Sequence, residues 1–333
     1  MAAGLPPDVA AAIADMLEGV SRKALAVRAA RLSEGYRGGG GSAAIGTEDV
    51  LAYLVARMPA TYAATAAALA AAATAAPEFA PRSLLDVGAG PGTAAFAALA
   101  TWPEIEAATT IDANRAFTAA AARLMAASAH AALSGATRIL ADAAAFGRDF
   151  PAADLVIAAY ALAEIAERDR APLVRALWKV TDGALVLVEP GTPDGFARIR
   201  AARALLIAEG AAIAAPCPHT RPCPIVAPDW CHFAERLPRS RDHRLAKGGE
   251  VPFEDEKYAY VVAFRDPALL ATYVARVLAP PRMAKAGVEL KLCTDTGTIA
   301  MRRVGRRDRP AFAVARRAWW GDTLSLPANE KGG

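Results

Sequence analysis

Cysteine is rare in this chain of 333 residues: there are four, and none precedes Cys217. That excludes a small secreted fold stapled by disulfides, and the amino-terminal stretch, with Asp8, Asp15 and Glu18, lacks the apolar core of a secretory signal. Long, strongly apolar runs are missing too. Residues 61–76 are uncharged but mostly alanine and threonine, too weakly apolar for a transmembrane span, and Pro77 ends them. Neither sign of charge dominates, with a formal net charge of +4, so the chain as a whole is no polycation. What it has in quantity is apolar residues, 54% of the total, much of it alanine, which favours helix but buries little area per residue. These proportions predict a soluble globular protein of one large domain with additions or of two, a monomer of a bacterial-type cytoplasm with no membrane contact.

Helical patterning covers 7–34 and 47–76 around a glycine-rich turn, GYRGGGGSAAIG, with Thr47 followed by Glu48 and Asp49 as a capped start. After Pro81 the rhythm changes. The apolar runs SLLDV (83–87), ATTID (108–112), TRILAD (137–142), DLVIAAY (154–160) and GALVLVEP (183–190) alternate with helix-compatible segments at 93–101, 114–130 and 167–180. This alternation predicts an α/β fold with a doubly wound parallel sheet, whose ligand crevice lies beyond the carboxyl ends of the strands. A helix at about 196–209 follows, then the first three cysteines, then KYAYVVAF (257–264) and VELKLC (288–293). Taken as the sixth and seventh strands, these two complete a Rossmann-like, seven-stranded class I methyltransferase sheet. The cysteine stretch is then an insertion before the sixth strand, and Cys293 lies on the seventh. The division expected is a helical region 1–80, a Rossmann-like domain 81–300 containing a cysteine-rich insertion 211–250, and a basic extension 301–333.

The motif Asp86-Val-Gly88-Ala-Gly90-Pro91-Gly92 directly follows an apolar strand and precedes a helix of small residues. Its glycines permit a tight turn and close backbone approach, and the helix start offers free N–H groups. A related glycine motif serves dinucleotides; two features tilt the reading to S-adenosylmethionine. Asp86 precedes the first glycine, where it can order the methionine end of the ligand, and Asp112 closes the second strand, where a carboxylate can take both ribose hydroxyls. Asp142, after the third strand, can accept from the adenine amino group. The bland alternative is that these aspartates cap the next helices. No acceptor chemistry is legible: the fourth strand ends in Ala158-Ala159-Tyr160, not in Asn-Pro-Pro-Tyr, and Tyr160, Glu164 and Glu189 are the polar groups near the crevice mouth, Tyr160 being counted with the cofactor-binding residues.

Cys217, Cys223, Cys231 and Cys293 are separated by x5, x7 and x61, none of them the short knuckle of a structural zinc site. With prolines 218, 222, 224 and 228 among the first three, a metal site is favoured over unrelated core thiols. A larger object such as an iron-sulfur cluster fits the spacing better than zinc, although His219, His232 and His243 keep a mixed zinc site open.

The chain resembles the methyltransferase-like proteins of the mitochondrial small ribosomal subunit and their bacterial relatives. The resemblance rests on AYLVARMPATYAA (52–64), LLDVGAGPGT (84–93), VEPGTPDGF (188–196), CPHTRPCPIVAPDWCHF (217–233) and KGGEVPFEDEKYAY (247–260), in that order. It implies a class I fold with an S-adenosylmethionine pocket, a four-cysteine [4Fe-4S] site on Cys217, Cys223, Cys231 and Cys293, and a role in small-subunit assembly or translation, with or without methyl transfer. A role on 16S-type ribosomal RNA requires phosphate contacts. Candidates are Arg236, Arg239, Arg241 and Arg244 after the third cysteine, and Arg302, Arg303, Arg306, Arg307, Arg309, Arg316 and Arg317 in a carboxyl-terminal stretch, 282–333, that holds eleven Lys or Arg against five Asp or Glu. Trp319 and Trp320 can stack on unpaired bases or pack the tail. A radical S-adenosylmethionine enzyme also joins this cofactor to a cluster, but it calls for a compact cysteine triplet on a barrel, which the spacing and the glycine loop both oppose.

Overall fold

The computed structural model describes residues 4–37, 45–143, 150–248 and 250–325; the middle of the glycine-rich turn and the end of the basic extension lie outside the described residues. The amino-terminal layer is four helices, α1 (Pro7–Met16), α2 (Arg22–Arg37), α3 (Thr47–Ala56) and α4 (Met58–Ala75). Each long helical pattern is therefore split in two. Gly19 adopts a φ of 73° between α1 and α2, and Pro59, which has no N–H to donate, sits in the first turn of α4 rather than inside a longer helix.

The α/β rhythm then appears as expected, with β1 (Ser83–Val87), α5 (Thr93–Thr101), β2 (Ala107–Asp112), α6 (Arg115–Ala126), α7 (Ala131–Ser134), β3 (Thr137–Leu140), β4 (Ala153–Ala159), α8 (Glu167–Lys179) and β5 (Thr181–Pro190). These five strands are parallel in the order β3-β2-β1-β4-β5. One face packs on α4, α5 and α6, the other on α8 and on α9 (Pro193–Ala208), so the strands are buried on both faces and read as nearly continuous apolar runs. Asn114 caps α6 through Ala116 and Phe117, and its Nδ2 donates to the Ile45 carbonyl at 2.9 Å, fastening the helical layer to the sheet.

The remaining strands differ from the sequence reading. The sixth strand is β6 (Ala212–Ala215), too short to be seen among the alanines. Residues 257–264 end a longer strand, β8 (Phe253–Phe264), which runs antiparallel between β5 and β6. The main path is thus β3-β2-β1-β4-β5-β8-β6, the class I order. An eighth strand, β7 (Phe233–Pro238), also pairs with β8. The cysteine stretch consequently follows the sixth strand instead of preceding it. VELKLC is not a strand of this sheet: it lies in β11 (Gly287–Thr294) of a second sheet, with β9 (Ala275–Val277), β10 (Arg282–Ala284), β12 (Ile299–Gly305) and β13 (Thr323–Leu324). The reason is visible in its pattern. Val288, Leu290 and Leu292 face a small core with Val304, Ala311 and Ala315 while Glu289 and Lys291 face away, the alternation of a strand buried on one side.

Residues 236–248, which carry Arg236, Arg239, Arg241 and Arg244, complete β7 and form a short helix, α10 (Arg241–Lys247), capped by Ser240. Residues 301–325 join the second sheet through β12, α11 (Arg309–Ala315) and β13. Among the described residues no helix is long and apolar enough to cross a membrane.

Thr192 caps α9 by accepting from the Gly195 N–H at 3.1 Å, and a Cβ on Gly195 would stand 1.9 Å from the Pro190 carbonyl oxygen. Gly195→Ala is expected to cost about 3 kcal/mol through a forced shift between β5 and α9, read as a lower urea midpoint at unchanged slope.

Candidate functional site

The glycine loop sits where the sequence placed it, between β1 and α5. Gly88, Gly90 and Gly92 have φ of 70°, 56° and 86°, and a Cβ on Gly88 would lie 2.7 Å from that of Ala161, so the turn demands glycine twice over at that position. Pro91 is buried between Gly90 and Gly92. Asp112 holds the loop from the neighbouring strand: its Oδ2 accepts from the Gly90 N–H at 2.7 Å and its Oδ1 from that of Asn114 at 2.7 Å. Each oxygen keeps further acceptor capacity for ribose hydroxyls. Asp86 is buried; its Oδ2 accepts from Ala95 at 3.2 Å, while its Oδ1 and the buried Thr93 Oγ1 have no protein partner. Orphaned polar atoms at a helix start beside a glycine loop suit a polar ligand. Asp142 lies two residues beyond β3, exposed.

Tyr160, directly after β4, is the one non-glycine residue with a left-handed backbone among those described, at φ 61°. Its hydroxyl donates to Glu256 Oε1 at 2.8 Å, and Arg57 reaches the same oxygen at 3.4 Å. Burial disfavours the charge on Arg57, but Glu256 and the tyrosines Tyr160 and Tyr53 hold it protonated and push its pKa up. Tyr53 packs edge-on against Phe117 at 4.7 Å. The roof of the crevice is therefore supplied by α3, the α3–α4 junction and β8. Tyr53, Arg57 and Glu256 were given no role in the sequence reading, although all three lie in stretches that carry its resemblance. Glu189, by contrast, is fully buried and tied to Arg198 at 2.5 Å and to the Ala163 N–H at 3.3 Å, a structural commitment.

The second site forms where β8 changes partners. β6 leaves β8 opposite Val262 and β7 joins it opposite Tyr258, so the intervening loop, 216–232, arches over an unpaired stretch of strand edge. Cys217, Cys223 and Cys231 come from that arch and Cys293 from β11, and all four line one largely apolar cavity together with Arg203 and Tyr260. His219 is buried there, its Nε2 3.4 Å from Cys293 Sγ. His232 stacks on Trp230 at 5.0 Å, and His243 lies away from the thiols against Glu254 at 3.1 Å. Among the described residues, no group of three or more His, Cys, Asp or Glu side chains is gathered closely enough to hold a metal ion, and this applies to the four thiols as much as to a mixed cysteine and histidine set. Burial raises the pKa of Cys217 and, with the neighbouring thiols, that of Cys231; Cys293 is pushed up to about 12 by burial first and by Cys217 and Cys223 next. These thiols are neutral at pH 7 unless a cation takes their protons' place.

Of the arginines expected to meet phosphate, Arg236 forms a two-pronged pair with Asp255 at 2.7 and 2.8 Å and lies over the Phe253 ring, and Arg239 pairs with Glu254 at 3.1 Å. Arg303 pairs with Glu289, and Arg302 is half-buried. Arg241, Arg244, Arg306, Arg307, Arg309, Arg316 and Arg317 are exposed. Trp319 is 76% exposed, whereas Trp320 packs edge-on against His232 at 4.9 Å.

Comparison with known proteins gives a family match to the mitochondrial small ribosomal subunit protein Rsm22 over residues 47–325. The human mitochondrial ribosome assembly protein METTL17 is 28% identical over 295 residues, 83% of this chain and 62% of the human protein. A mitochondrial Rsm22-cox11 tandem protein of Schizosaccharomyces pombe is 28% identical over 219 residues, 52% of this chain and 29% of that protein. The chain thus spans less than two thirds of either relative. Among solved structures, magnesium protoporphyrin IX methyltransferase from Synechocystis with bound SAM aligns over 70% of this chain and 90% of its own at 13% identity and a TM-score of 0.40. TrmN from Thermus thermophilus aligns over 63% of this chain and 53% of its own, at 19% and 0.38. At those scores the fold assignment rests on the strand order itself.

Burial raises the Asp86 pKa to about 7, against 3.8 for an ordinary aspartate. The folded protein therefore binds a proton that the unfolded chain has already released between about pH 4 and 7, and stability falls as pH rises through that window. Asp86→Asn is expected to flatten that part of the profile, gaining up to roughly 4 kcal/mol on the parent by pH 8, measured by urea unfolding at a series of pH values.

Proposed function

This chain belongs to the Rsm22 family, and from that premise we propose that it binds S-adenosylmethionine and acts on the small ribosomal subunit, through 16S-type ribosomal RNA, in assembly or translation. The observation that carries the reading is that the family match spans both the glycine loop and all four cysteines. Asp112 would hold the ribose, Asp86 and the start of α5 the amino-acid end, and Asp142 the adenine edge. The ligand, when bound, supplies a methyl group activated for transfer. Exposed Arg241, Arg244, Arg306, Arg307, Arg309, Arg316 and Arg317 would meet RNA phosphates, and exposed Trp319 an unpaired base. A cytoplasm of bacterial type, where thiols stay reduced, is the compartment we propose, with the protein acting as a monomer.

The cysteine cavity fits an iron-sulfur cluster in its donor set: four thiols and no carboxylate line one apolar cavity, with ligands from separated segments. Cys217, Cys223, Cys231 and Cys293 would hold a [4Fe-4S] group, whose contribution is structural, a four-point crosslink between the arch and the second sheet. The arch buries little apolar area of its own and gains its fixed shape from that link.

A second reading, a binding factor that transfers nothing, is favoured by the crevice roof. Tyr160, Glu256 and Arg57 satisfy one another at the end of β4, where an acceptor would have to enter. The two readings separate in one experiment: labelled S-adenosylmethionine incubated with protein and small-subunit RNA yields labelled RNA for the enzyme, and subunit binding without label for the factor.

Asp112→Ala is expected to weaken S-adenosylmethionine binding at least roughly tenfold by calorimetry, through loss of the ribose contacts and of the loop anchor. Oxygen-free purification should give brown protein with about four iron per chain; colourless protein with zinc would overturn the cluster. Replacing Arg306 and Arg307 by Glu should weaken RNA binding across sequences and flatten its dependence on salt.

A further inference from the structure

Two arginines beside the thiol cavity are buried without an acidic partner. Arg203, on α9, is 5% exposed, and Arg276, on β9, is 4% exposed. Arg203 Nη1 donates to the Arg221 carbonyl at 3.0 Å and Nη2 to that of His219 at 2.5 Å, while its Nε, also buried, has no partner. Arg276 donates to the carbonyls of Pro216 at 2.8 Å and Gly321 at 2.7 Å and to the Tyr273 hydroxyl at 2.9 Å. Every acceptor is neutral, and among the described residues neither guanidinium has a carboxylate within ion-pair distance. Glu189 on β5 and Arg198 on α9 show the ordinary solution, a buried charge matched directly by its opposite. A guanidinium cannot shed its proton, so two uncompensated cations in one apolar region carry a heavy desolvation cost. The groups that can supply negative charge there are the four thiols. Arg203 lines their cavity, and Arg276 is anchored on the Pro216 carbonyl, one residue before Cys217.

We propose that Arg203 and Arg276 are the counter-charges of a tetrathiolate iron-sulfur cluster and set its reduction potential. The inference rests on the cluster reading above. Four thiolates around an oxidised cubane core leave a dianion, which two fixed cations neutralise. A cluster held there would supply one-electron chemistry, its electron coming from an external one-electron donor with no bond broken and no proton moved, and both guanidiniums would stabilise the added negative charge. The pair therefore raises the potential and slows cluster loss. They are positioning residues, not ligands: neither carries a donor atom for iron. Arg276 also clasps Gly321, so the charge on the cavity is felt by the segment that presents Trp319.

The test uses anaerobically purified, cluster-loaded full chain, titrated with dithionite and followed by visible absorption and electron paramagnetic resonance. Arg203→Gln is expected to keep iron and sulfide near the parent's stoichiometry, to move the midpoint potential downward, and to lose iron several-fold faster on exposure to air. Arg203→Lys, which keeps the charge without the fork, is expected to recover most of that shift. Arg276→Gln and Arg276→Lys repeat the comparison at the second site, with far-ultraviolet circular dichroism confirming the fold. Iron at parental stoichiometry with an unmoved potential in both Gln variants overturns the inference alone, as does an equal shift for Gln and Lys, which would make hydrogen bonding the cause. Zinc without iron in the parent overturns the cluster reading and this inference with it.

Discussion

β8 is hydrogen-bonded along both edges, to β5 on one side and to β6 and β7 in succession on the other, and both candidate sites follow from that double pairing. Because Tyr258 pairs with Pro190 at the carboxyl end of β5, the first half of β8 projects past the ends of the parallel strands, above the crevice where an open α/β sheet binds its ligand. That overhang carries Glu256 to Tyr160 and Arg57. On the opposite edge, the stretch between the β6 and β7 pairings is left open, and the cysteine arch covers it. One strand thus joins the nucleotide crevice to the thiol cavity, and a disturbance of its register would be felt at both.

Charge is buried in this molecule in two different ways. Around the crevice, charges are matched: Glu189 with Arg198, Glu256 with Arg57 and the Tyr160 hydroxyl. Such networks hold a geometry at the cost of desolvating each member, and their removal leaves an exposed debt on the partner that remains. Around the thiols the cations stand without acids, and Cys217, Cys231 and Cys293 are pushed toward their neutral forms by burial. On the cluster reading proposed above, a cationic metal core would relieve that imbalance by turning the thiols into thiolates, and loading the cavity would also fix the arch.

Much of the fold was legible because its strands are short apolar runs ended by Asp, Gly or Pro. SLLDV and the helix at 93–101 were placed to the residue, and the glycine loop between them followed. The misplaced strands failed for identifiable reasons. AIAA is too short and too alanine-rich to stand out as β6. VELKLC was counted with the central sheet although its strict alternation of polar and apolar residues marks a strand with one wet face; the parallel strands, covered on both faces, do not alternate. Tyr53, Arg57, Glu256, Arg203 and Arg276 went unassigned because their roles depend on neighbours up to about two hundred positions away, as in the Arg57–Glu256 contact with its separation of 199. No local pattern records such a pairing.

By itself the sequence determined the parallel half of the sheet, the glycine turn and the identity of four thiols as one set, because each of these is written in local periodicity, in backbone demands that only glycine meets, or in spacing that excludes a compact knuckle. The tertiary structure decided what surrounds them. It placed the arch after β6 instead of before it, brought Cys293 from a separate sheet, roofed the crevice with α3 and β8, and committed Arg236 and Arg239 to carboxylates while leaving Arg241, Arg244, Arg306 and Arg307 in water. Strand register fixes which side chains meet across long separations, and register is set by which faces can be buried together, a property of the assembled layers and not of any one segment.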